Sequence, residues 1–176
     1  MTSMSKVMPK FVIPIMLEKV ATPQNDKYHK LWMKLFHMYM AGYTNEDVAL
    51  HFGVNEMAIL WVKRQMLGGK TVRGILWNRK MQDLLDAKDT LYFESYSLLR
   101  FNRSGQNKEY WAITKRGRRA KDFFGKGYYF TDREKAVSKF VEMFPAAHTP
   151  KQMINRVRTV FLKNKASFIR MLRSNF

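Results

Sequence analysis

There is no cysteine among the 176 residues. That absence excludes disulfides, thiolate zinc sites, iron–sulfur clusters and cysteine nucleophiles together, and it fits a reducing compartment. Histidine is scarce, with 4 copies, which leaves little for metal chemistry. Long apolar runs are missing too. Near the start the longest, Phe11 to Leu17, is seven residues and contains Pro14, too short for a hydrocarbon core of about 30 Å. Lys6 and Lys10 are followed by no apolar stretch of signal-peptide length and no small-residue cleavage site. The expectation is a soluble, cytoplasmic chain without membrane contact. Glycine and proline number only 9 and 5, against 46 % hydrophobic and 14 % aromatic residues. Such a chain buries a core and is no disordered basic tail.

Acid is the remaining deficit. The 14 Asp and Glu stand against 32 Lys and Arg, a formal charge of +18. Met1 to Leu99 holds 13 basic and 9 acidic residues, net +4, whereas Arg100 to Phe176 holds 19 and 5, net +14. Arg100 to Lys126 carries nine basic residues against Glu109 and Asp122, and Ala146 to Phe176 carries seven and no acid. A surplus this one-sided repels itself when folded. It suits a polyanionic partner whose counterions are released on binding.

The hydrophobic pattern predicts an α+β fold: an N-terminal helical region, then a small basic β-hairpin or three-stranded sheet with C-terminal helices. Residues 1–26 are Met-rich and interrupted by proline, and read as an arm with a short strand at Phe11 to Ile15. Leu31, Leu35 and Met38, with Trp32, Phe36 and Met40, give a helix from Lys27 to about Ala41. Helices follow at Asn45 to Phe52 and at Glu56 to Leu67, the latter stopped by Gly68-Gly69. Another is expected within Asn78 to Lys88, closing a helical domain of residues 27–89. From Thr90 the residues turn aromatic and β-branched, with strands at Thr90 to Phe101, Glu109 to Thr114 and Gly127 to Phe130. Thr131 with Glu134 predicts a capped helix to Phe144, and Thr149, Pro150 and Gln152 predict a last one reaching Arg173. Residues 90–176 thus read as one basic α+β domain.

Around Gly53 the spacing carries a motif. Ala49 sits where two helices must touch, Gly53 follows four residues later at the turn, then Val54, with Ile59 and Val62 on the inner face of the second helix. Thr44 with Asp47 resembles a capping box, and Asn55 is a good cap for the second helix. This segment, about residues 27–67, resembles the helix-turn-helix superfamily, especially the short form of resolvase-like and sigma-like domains. The resemblance implies that the second helix enters the major groove with Asn55, Glu56, Met57, Leu60, Trp61 and Arg64 toward bases or phosphates and Lys63 nearby. Leu60 and Trp61 depart from the polar donors common there, and Glu56 would repel phosphate unless it accepts from a cytosine amino group. The alternative is that Leu60 and Trp61 pack against the second half of the chain and the helix pair is only scaffold.

The second half adds Arg100, Arg103, Lys115, Arg116, Arg118, Arg119 and Lys121 around a hairpin and loop, where guanidinium groups grip phosphates or enter a minor groove. Tyr110 and Trp111 alternate across a strand, so one faces the core and the other is available to stack. Leu98 to Arg103, Glu109 to Ile113, Arg116 to Arg119 and Lys135 to Phe140 are faintly similar to a WGR domain, about residues 92–144, with Arg116 standing where that family has its tryptophan. The last helix interleaves Arg156, Arg158, Lys163, Lys165, Arg170 and Arg173 with apolar residues.

No paired-histidine metal motif, glycine-rich phosphate loop or nucleophile triad is visible. Asp83, Asp86 and Asp89 read as a solvated helix face, and His51 as a partly buried helix residue. The expectation is a non-enzyme without cofactor or metal that binds double-stranded DNA, with RNA also open, as a transcription regulator or a DNA-coating accessory protein. Two rivals are a module that docks on a polymerase or nucleoid protein, and a magnesium-dependent nuclease using Glu109 and Asp122.

Overall fold

A computed structural model describes residues 2–20, 26–77, 79–87, 90–102, 108–116, 118–119 and 127–176, with the backbone alone for residues 2–9 and 119. The fold is α+β. Helices α1 (Thr2–Val20), α2 (Lys27–Met40), α3 (Asn45–Phe52), α4 (Glu56–Met66), α5 (Val72–Leu76) and α6 (Met81–Asp86) precede a sheet of β1 (Leu91–Phe93), β2 (Tyr96–Asn102), β3 (Glu109–Lys115), β4 (Arg118–Arg119) and β5 (Tyr129–Phe130). Helices α7 (Arg133–Met143) and α8 (Pro150–Asn175) complete it. Two compact units emerge: residues 1–75 with 156–176, and residues 76–155.

This division corrects two expectations. Residues 1–26 are not an arm with a strand, because α1 runs as a helix through Pro9 and Pro14 and packs against α2, α3 and α4. Proline removes a helix hydrogen bond, but Ile13, Met16 and Leu17 are spaced to bury together, and that tertiary burial outweighs local propensity. Nor do residues 90–176 form one domain. Most of α8 belongs with the N-terminal helices, so the first unit holds 16 basic and 5 acidic residues, net +11, and the second 16 and 9, net +7. The cationic surplus is therefore larger in the unit that contains α3 and α4.

In the first unit α2 and α8 share an aromatic seam. The Phe161 ring stacks parallel to Tyr39 at 5.8 Å and meets Phe36 edge-on at 5.9 Å, and Phe36 stacks on Trp32 at 4.7 Å. Asp26 caps α2, accepting from the N–H groups of Tyr28 and His29, and forms an ion pair with Arg173 near the end of α8. Burial pushes the Asp26 carboxyl up, but the Arg173 hydrogen bond and charge and the two N–H donors together hold it below the usual carboxylate value. At the other end of α4, Gly68 adopts φ +66°, and a Cβ there would lie 2.6 Å from the Asn164 side chain of α8. A left-handed turn and a close helix approach both demand glycine at that position.

The second unit is a twisted meander on one helix. β1, β2 and β3 pair antiparallel in sequence order, and the other edge of β3 receives both β4 and β5. Leu98, Trp111 and Ile113 bury one sheet face against Ala136 and Phe140 of α7. The expected strand Thr90 to Phe101 is broken into β1 and β2 by a turn at Glu94, whose φ is +53°. Asp132, not Thr131, caps α7, its carboxylate accepting from Glu134 N–H at 2.9 Å. Thr149 and Gln152 do form the expected reciprocal cap of α8, at 2.9 and 3.2 Å.

Two substitutions test the seam. Phe161→Ala removes a fully buried ring and is expected to cost about 3–5 kcal/mol in urea denaturation; a loss no larger than that of exposed Leu162→Ala would contradict it. Tyr39→Phe should leave stability unchanged or raise it by about 1 kcal/mol, because the buried Tyr39 hydroxyl has no hydrogen-bond partner among the described residues.

Candidate nucleic-acid interface

The α3–α4 pair forms as its spacing predicts. Thr44 Oγ1 accepts from Asp47 N–H at 3.1 Å while Asp47 Oδ2 accepts from Thr44 N–H at 3.3 Å. Gly53 takes φ +66° at the end of α3, the left-handed geometry that only glycine adopts without penalty. The Asn55 side chain accepts from Met57 N–H at 2.7 Å and starts α4. Val48, Ala49, Phe52, Ala58, Ile59, Val62 and Met66 turn inward. The opposite side of α4 faces water, with Glu56 and Arg64 exposed, Met57 62 % exposed and Leu60 38 % exposed.

Two residues expected on that outer face are otherwise engaged. Asn55 commits its carbonyl oxygen to the cap. Lys63 is half-buried, its ammonium 4.6 Å from the centre of the Tyr39 ring and donating to Asn45 Oδ1 at 3.5 Å. Burial pushes the Lys63 ammonium down to about 8 from 10.5. Trp61 is half-buried, between the exposed and packed alternatives. His51, expected partly buried, is exposed, and desolvation, then Lys34 and Lys19, hold its imidazole below the ordinary value.

On α8, Arg156, Arg158 and Lys163 are exposed as expected, whereas Lys165 is half-buried with its ammonium 4.7 Å from the Trp32 ring. Arg156, Lys163 and Arg170, all exposed, recur every seven residues. Two helical turns separate successive members by about 10.5 Å along the axis, which aligns the three into one cationic row. Its register with the buried series Val157, Phe161, Phe168 and Leu172 makes α8 amphipathic within the first unit.

In the second unit, Arg116 and Arg118 are exposed and Arg119 is in β4. The expected basic loop starts as a tight hairpin, because Thr114 pairs with Arg119 and Lys115 with Arg118 across only two residues. Arg116 sits in that turn at φ +52°, its N–H donating to Ser95 O at 2.9 Å. Lys115 lies 5.3 Å from the Tyr96 ring, and Arg100 pairs with Glu109 at 3.4 Å. Arg103, Lys121, Asp89 and Asp122 lie outside the described residues. Glu109, the described half of the nuclease pair, is therefore already matched by a cation. Trp111 is the core member of the Tyr110-Trp111 pair.

No family model, curated protein or solved structure matches this chain. No helix among the described residues is long and apolar enough to cross a membrane.

The lowered Lys63 value sets a pH dependence. Below about pH 8 the folded state carries the full cost of an ammonium held half out of water. Between about 8 and 10.5 the folded form has released that proton and the unfolded form has not, so stability rises with pH. The wild type is expected to gain stability across that window relative to Lys63→Met, measured by urea denaturation at stepped pH; parallel curves would refute the shift.

Proposed function

We propose that the chain binds double-stranded DNA through its first unit, with α4 in the major groove and the α8 row on phosphates, in the manner of a transcription regulator or a DNA-coating accessory protein. The observation that carries this reading is the outward face of α4: the second helix of a glycine-turned, doubly capped pair leaves Glu56, Met57, Leu60 and Arg64 toward solvent. A groove-entering helix needs such an unburied side. The charge supports it, since a unit at net +11 gains from releasing counterions off a duplex. Met57 and Leu60 suit thymine methyl groups, Glu56 the amino group of cytosine, and Arg64 guanine or phosphate.

A protein-docking reading is favoured by one observation, the apolar exposure of Leu50 at 75 % together with Met57 and Leu60. It calls for a complex with a polymerase or nucleoid protein that survives high salt and for weak DNA affinity.

Binding measured against salt for duplex DNA and duplex RNA separates these readings. Replacing Arg156, Lys163 and Arg170 with Gln is expected to flatten the slope by about 0.9 for each phosphate no longer neutralised, and Arg64→Ala to weaken duplex DNA binding. Duplex RNA should bind less well, because its major groove is too narrow for a helix. Replacing Arg116, Arg118 and Arg119 is the parallel arm. A slope that moves only there would shift the phosphate-gripping surface to the β3–β4 hairpin.

A further inference from the structure

The first unit contains a cleft of about 580 Å³ lined by the start of α2 and the later turns of α8, a volume that admits a drug-sized molecule. Its apolar side is a stripe of α8. Leu162, Ala166 and Ile169 are spaced four and three residues apart, which sets them on one helix face. Arg170 and Arg173 follow at the C-terminal end of that stripe, and Asp26 and His29 line the cleft from α2. Ile169 is buried, whereas Leu162 stays 50 % exposed and Ala166 is exposed.

We propose that this cleft is a binding site for a small organic carboxylate with an apolar body, of the kind an aryl carboxylic acid provides. The charge inventory decides the sign of the ligand. Asp26 is the one acid among the described residues that line the cleft, and its carboxylate is spent. One oxygen accepts from the Tyr28 and His29 N–H groups and the other from Arg173. Lys165 rests its ammonium 4.7 Å from the Trp32 ring. Arg170 is exposed and has no ion pair or hydrogen bond among the described residues. The cleft therefore presents one unmatched guanidinium and no free carboxylate. A carboxylate ligand answers that planar fork with two parallel hydrogen bonds, and one unmatched cation calls for a monoanion, not a polyphosphate. The apolar stripe decides the rest of the ligand. A duplex phosphate taken by Arg170 in the α8 row leaves Leu162 and Ala166 in water, since a phosphodiester brings no apolar group. An apolar body attached to the carboxylate covers them.

The test titrates the full chain by isothermal calorimetry with naphthoate, with naphthylmethanol as the same body without the charge, and with acetate as the charge without the body. Naphthoate is expected to bind one molecule per chain, roughly tenfold tighter than either of the others, because only it combines the charge-assisted hydrogen bonds with the covered rings. Arg170→Gln should bring naphthoate down to the affinity of naphthylmethanol. Lys34→Gln, an equal loss of charge at an exposed residue outside the cleft, should leave the difference in place. Leu162→Ala should weaken both aromatic compounds. All three variants change exposed side chains, and circular dichroism verifies that they fold. No nucleic acid enters the titration, so its outcome is separate from that of the duplex reading. Affinity for naphthoate no greater than for acetate, or a naphthoate preference that survives Arg170→Gln, overturns the proposal.

Discussion

The first unit depends on the parallel stack of Tyr39 on Phe161. Through it α8 is joined to α2, and Lys63 of α4 rests on the same Tyr39 ring. One aromatic residue therefore ties three helices that are far apart in sequence. The cost is visible in the same place. Burial pushes the Tyr39 phenol far up, its hydroxyl has no partner among the described residues, and Lys63 is held below its ordinary value. Such groups persist because aromatic burial contributes more than a missing hydrogen bond takes away.

This seam also determines what the charge can do. Counted along the chain, the positive surplus gathers beyond residue 100. Counted by compact unit, much of it returns with α8 to the helix pair around Gly53. Within α8 the burial of Val157, Phe161, Phe168 and Leu172 leaves Arg156, Lys163 and Arg170 outside. Lys165 and Arg173, equally cationic in sequence, are drawn to the Trp32 ring and to Asp26. A tally of basic residues treats them all alike, whereas packing separates those that face solvent from those that hold helices together.

The second unit sorts its aromatic residues by the same logic. One sheet face is committed to α7, where Trp111, Phe140 and Phe144 gather. The other face carries Phe101, Tyr110 and Tyr129 in a row that α7 does not cover. A period-two strand offers both faces to a sequence rich in rings, and both take up core, since Tyr92, Ser97, Ala112 and Thr114 on the face away from Leu98 are buried as well.

Local signals were enough for α2, α3, α4, the β2–β3 hairpin and the Gly53 turn. Each is specified by neighbours a few residues apart: caps at Asp26, Thr44 and Asn55, a left-handed glycine, an alternation of two. The exposed face of α4 was legible for the same reason, as the complement of its apolar period. The helical state of residues 2–20, the engagement of Lys63 and the assignment of α8 to the first unit were not. Those outcomes are set by partners distant in sequence, Ile13 and Met16 with the helices that cover them, Phe161 with Tyr39, Asp26 with Arg173. The sequence by itself determined which segments are helix and strand where period and caps agree; only tertiary packing decided which faces turn inside, because burial energy depends on surfaces that no local window contains.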